Sequence, residues 1–125
     1  MAIQDELFAH LVKRITEEVR ERERHLREEG GAPLVLHACD SQLYSVENER
    51  TGRRATIAFE GLQHIVEIRG EGIHYTFELI ITDKGSPGFT MRKDGELVPG
   101  TVTQANMLTA VHLAIDSITD LHAPI

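Results

Sequence analysis

Between Leu34 and Val98 apolar and polar residues trade places at every second position, and glycines or charged pairs break the pattern at short intervals. A period of two belongs to strands with one face toward a core and one toward water, and short breaks leave room only for hairpins. The pattern predicts strands near 34–38, 42–48, 54–60, 62–69, 73–82 and 89–93, with a short one near 96–98. Strands joined by tight turns must run antiparallel, so the middle of the chain reads as a meander.

Two turns predict register. A Gly70-Glu71 turn sets Leu62, His64, Val66 and Ile68 opposite Leu79, Phe77, Tyr75 and Ile73. A Glu60-Gly61 turn sets Phe59, Ile57 and Ala55 opposite Leu62, His64 and Val66. Both choose the same apolar face. Asp94-Gly95 is a third hairpin signal and brings Met91 to Val98.

That face needs cover, and only two segments have helical period. Ile3 to Glu29 carries Ile3, Leu7, Phe8, Leu11, Val12, Ile15, Val19 and Leu26 at spacings of three and four, ended by Gly30-Gly31. Val102 to Leu121 carries Met107, Leu108, Val111, Ala114, Ile115, Ile118 and Leu121, with capping-box spacing at Thr101 and Gln104 and Pro124 beyond the end. The fold class expected is α+β: a long N-terminal helix, an antiparallel meander of about five to seven strands and a C-terminal helix. Both helices pack on one sheet face, and residues 1–125 form a single domain. A small barrel-like sandwich plugged by the second helix is the alternative.

Composition narrows function mainly by exclusion. Lys and Arg number 13 against 20 Asp and Glu, a net charge of −7, which disfavours nucleic acid and anionic membrane as partners. One cysteine allows no internal disulfide and no four-thiolate zinc site. The charged N-terminal helix pattern and the lack of a long apolar run lead us to expect a cytoplasmic protein. No cofactor and no metal site are expected.

The chemistry-bearing clusters are weak. His37, Cys39 and Asp40 could form a thiolate–imidazole nucleophile, but neighbours in sequence say little about catalytic geometry. His64 falls on the apolar face with Tyr75 and Phe77, making a pocket between sheet and helices the second reading of function. No carboxylate shares that face to orient it as a base. His112 and Asp116 have the spacing of a helical pair without a third metal ligand. Arg50, Arg53 and Arg54 crowd a turn without the interleaved aromatics a base-stacking site needs. No catalytic residue is assigned.

Phe8, Val12, Ile15, Val19 and Leu26, with Arg22 as one polar interruption, follow the alternating four-three spacing of a helix–helix seam. Leu7 and Leu11 point in another direction. One row is expected to meet the sheet and the other a second copy of the chain. The first-ranked reading is therefore a non-enzymatic acidic interaction module (adaptor, chaperone-like or neutralising protein) that binds a protein partner as a homodimer. A small enzyme using His64 or His37 with Cys39 ranks third.

Overall fold

The computed structural model describes residues 3–31, 33–40, 42–81 and 84–119. Helix α1 (Ile3–Glu28) precedes seven strands: β1 (Leu34–Asp40), β2 (Leu43–Asn48), β3 (Arg54–Glu60), β4 (Ile65–Gly70), β5 (Ile73–Ile81), β6 (Pro87–Lys93) and β7 (Glu96–Val102). Helix α2 (Gln104–Asp116) follows them. The strands pair antiparallel in chain order β1 to β7, an open meander. The expected α+β architecture is the one observed. The barrel-like alternative is not, because β1 and β7 lie at opposite edges.

Alternation builds the core as the sequence implies. Ala55, Ile57 and Phe59 of β3, Val66 and Ile68 of β4, and Tyr75, Phe77 and Leu79 of β5 are buried on the helix side. The other face carries Thr56, Glu67, Arg69, His74 and Thr76. The paired parts of β3, β4 and β5 keep their expected face, yet two of the three expected registers are wrong. In the β4–β5 hairpin Gly70 pairs with Ile73, Ile68 with Tyr75 and Val66 with Phe77, a shift of two from the expected pairs. The loop is Glu71-Gly72, with the left-handed residue second (Gly72 φ 73°). Between β3 and β4 a four-residue loop replaces the tight turn, so Phe59 pairs with Val66 and Ile57 with Ile68. His64 closes that loop at φ 55°, and Leu62 points outward, 92% exposed. Met91 does pair with Val98 across Asp94-Gly95.

Gly70 serves the helix layer, not the turn. A Cβ there would lie 2.8 Å from the Ala114 Cα and 2.5 Å from Ser117 Oγ, so the end of β4 meets α2 backbone to backbone. The start of α2 also differs from expectation. β7 runs to Val102, paired with Phe89, and the cap falls on Thr103, whose backbone N–H donates to Asn106 Oδ1 at 3.0 Å. Helix α2 ends at Asp116 with Ser117 as its C-cap, short of the expected Leu121; Leu121 and Pro124 themselves lie outside the described residues.

Both helices sit on the apolar face, α2 against β3, β4 and β5, and α1 against β1 and α2. They run parallel, because Glu18 meets His112 and Arg22 meets Asp116, each pair 94 residues apart. Asn48, wholly buried, ties the end of α2 to the sheet. Its Nδ2 donates to the Ile118 carbonyl (2.7 Å), and its Oδ1 accepts from the Arg50 amide (2.9 Å). A buried carbonyl without a donor is costly, so Asn48→Ala should destabilise by about 1–3 kcal/mol. Gly70→Ala should lose about 1–3 kcal/mol by forcing α2 away from β4. Urea unfolding at neutral pH measures both; unchanged midpoints would show that neither contact carries the packing.

Candidate functional site

Seven strands at about 4.8 Å spacing span roughly 29 Å, while two packed helices cover about 20 Å. The cover runs out toward β6 and β7. There the first turns of α1 overhang the sheet and enclose a cleft of about 530 Å³. Leu7 and Leu11 form its helical wall, and Leu79 and Phe89 its floor on β5 and β6. Val102 and the connection into α2 close the far side. Among the described residues its titratable lining is His10 and Arg14, one helical turn apart on α1, with no carboxylate beside them.

Arg14 leads into a polar chain across the helix pair. Its Nη1 donates to Glu18 Oε2 at 2.9 Å, while Glu18 Oε1 meets His112 Nε2 at 2.5 Å. The His112 hydrogen bond holds the Glu18 carboxyl below its ordinary 4.5, outweighing the burial that raises it, and Arg14 adds to the lowering. One turn on, Arg22 grips Asp116 through Nη2 (2.7 and 2.9 Å) and Nε (3.1 Å). His112 and Asp116 thus do not pair with each other; each reaches α1. On the same helix Glu23 and Arg27 pair at 2.8 Å, with Glu23 only 6% exposed. Glu18 and Arg22, also four apart, take partners on α2 instead of each other.

The expected pocket of His64, Tyr75 and Phe77 does not assemble. Phe77 is fully buried and Tyr75 stacks beside it with ring centroids 6.2 Å apart, whereas His64 stands in the β3–β4 loop. Its Nε2 lies 2.7 Å from Asp5 Oδ1, and its ring meets Phe8 edge-on at 5.4 Å. The carboxylate absent from the sheet face comes from α1 instead. This pair clamps the N-terminal turns of α1 over the sheet.

The seam residues are core residues of this chain. Phe8, Ile15, Val19 and Leu26 are at most 6% exposed, and Val12 is partly buried against the same cluster. They belong to one core cluster with Met107, Val111 and Ile115 of α2 and with the inner face of the sheet. The Leu7/Leu11 row faces the cleft. The other cleft residues, Leu79, Phe89 and Val102, come from three strands and carry no local mark of a shared site.

The remaining clusters are surface networks. His37 Nε2 lies 3.4 Å from Glu47, and Arg54 lies 3.7 Å from the same carboxylate. The side chains of Cys39 and Asp40 lie outside the described part of the structure. On the open sheet face, burial raises the Glu67 carboxyl, but Arg69 and His74 outweigh it and leave the group below its ordinary value. His74 Nε2 is 3.2 Å from Glu67, off the hydrogen-bond axis. Arg50 and Arg53 are exposed. Among the described residues no group of three His, Cys, Asp or Glu could hold a metal ion, and no helix is long and apolar enough to cross a membrane.

Comparison with protein-family models, with curated proteins and with solved structures finds no match to this chain.

A carboxyl with a depressed folded-state pKa contributes stability above its unfolded value of 4.5 and loses it as pH falls through the lower folded value. Glu18→Gln should therefore cost about 1–2 kcal/mol at pH 7. The gap between wild type and variant should close below about pH 4. Chemical denaturation across pH 3–8 reads this directly; a gap that stays constant with pH would show that the Glu18 charge contributes nothing.

Proposed function

We propose that this chain is a small-molecule-binding domain whose site is the cleft between the N-terminal turns of α1, the β5–β6 floor and the entry to α2. The observation that carries this reading is the cleft's size and lining. Its volume of about 530 Å³ lies in the range of pockets that take small organic molecules, and most of its wall is apolar. Such a pocket gains affinity by removing apolar ligand surface from water, with a few polar groups fixing orientation. His10 and Arg14 are the polar groups here.

A protein-binding homodimer finds less support. Its main argument was surplus apolar surface on the first helix, and that surface is largely occupied by the chain's own core. The exposed large apolar residues among the described ones are Leu62 in the β3–β4 loop, Ile81 on β5, Leu97 on β7 and Leu113 on α2, each on a different part of the fold.

An uncharged fluorescent probe such as N-phenyl-1-naphthylamine should bind one saturable site, with a Kd on the order of micromolar. Val102→Trp and Leu7→Trp, each filling the cleft from a different wall, should abolish that binding, while Leu113→Ser on α2 should leave it intact. No saturable binding, or binding indifferent to both tryptophans in folded variants, would end the cleft reading.

A further inference from the structure

Resting on the cleft as a binding site, we infer that its ligand is an aliphatic monocarboxylic acid, held with its chain on the apolar floor and its carboxylate at His10 and Arg14. The charge balance points this way. The chain as a whole carries −7, yet among the described residues the titratable groups lining the cleft are a histidine and an arginine, with no acidic residue beside them. A cleft with no carboxylate among its described lining residues leaves room there for a carboxylate from outside.

The donors are available. Arg14 spends Nη1 on Glu18, and its side chain remains 44% exposed. A guanidinium carries five N–H donors in a planar fork matched to a carboxylate, so most of the fork is open. Glu18 meets Arg14 through one oxygen only, its other oxygen being taken by His112. His10, one turn before Arg14, is unbonded among the described residues and lines the same cavity. The arginine stem can lie along the apolar wall with its charged head at the water boundary. Leu7 and Leu11, on the same helix, then flank the beginning of the ligand's chain, and Leu79, Phe89 and Val102 receive the rest. An amphipathic acid satisfies both halves of this lining; a neutral hydrocarbon satisfies one.

The test is displacement of the uncharged probe by decanoate and by decanol, below micelle-forming concentrations. Charge-assisted hydrogen bonds are worth enough that decanoate should bind about tenfold more tightly than decanol or better. Arg14→Gln should erase most of that preference by weakening decanoate about tenfold while leaving decanol unchanged. His10→Gln should produce a smaller loss of the same kind. Equal affinity of acid and alcohol, or an acid preference that survives the Arg14→Gln, His10→Gln double variant, overturns the inference. If the probe occupies the tryptophan-sensitive site and neither decyl compound displaces it, the ligand class is wrong while the cleft reading stands. If the probe itself finds no site, both fall together.

Discussion

The arrangement of this molecule follows from the parallel docking of α1 on α2. Buried Ile15 and Val19 on one helix and Val111 and Ile115 on the other belong to the same core, and removal of such surface from water supplies most of the attraction. Apolar contact alone leaves rotation and sliding loosely defined. Two polar rungs remove that freedom: Glu18 with His112, and Arg22 with Asp116 one turn later. Being partly exposed, such pairs contribute modestly to stability. Their contribution is to fix register. Once α1 is locked in rotation, its remaining apolar row, Leu7 and Leu11, overhangs the β5–β6 end of the sheet. The cleft thus results from the helix pair's register combined with a sheet wider than its cover.

The α1 N-terminus is held from a second direction. Asp5 and Phe8 both contact His64, a non-glycine residue in the left-handed region at the end of the β3–β4 loop. That conformation is unfavourable for a histidine, and the two contacts with α1 offset it. A tight Glu60-Gly61 turn would place His64 inside the sheet and forgo them. The longer loop instead ejects Leu62 into water and brings an imidazole under the helix. Local turn preference gives way to a tertiary contact.

This explains which parts of the fold were legible. Face assignment survived in β3, β4 and β5 because burial enforces a period of two, and slips of two or four residues preserve it. Partner assignment did not, because it depends on which residue takes the left-handed position. Gly70 and Gly72 both qualify by sequence. The choice is made by α2, which needs a residue without a side chain opposite Ala114 and so commits Gly70 to packing. Asp94-Gly95 faced no such competition, and its register was readable. Asn48 was invisible for a related reason: its carboxamide is satisfied by the Ile118 carbonyl and the Arg50 amide, one of them 70 residues away.

The seam on α1 illustrates the same limit at the level of function. Four-three spacing says that a helix has another helix to meet, and says nothing about which chain supplies it. The distinguishing mark lay in the polar positions. Glu18 and Arg22 are four apart, as are His112 and Asp116, and the order of acidic and basic groups is reversed between the two pairs. Laid side by side in parallel they match on both rungs; laid antiparallel they set Glu18 against Asp116 and Arg22 against His112. The match shows only when the two helices are set side by side, and with it the reason that Leu7, His10, Leu11 and Arg14 are left facing a cavity.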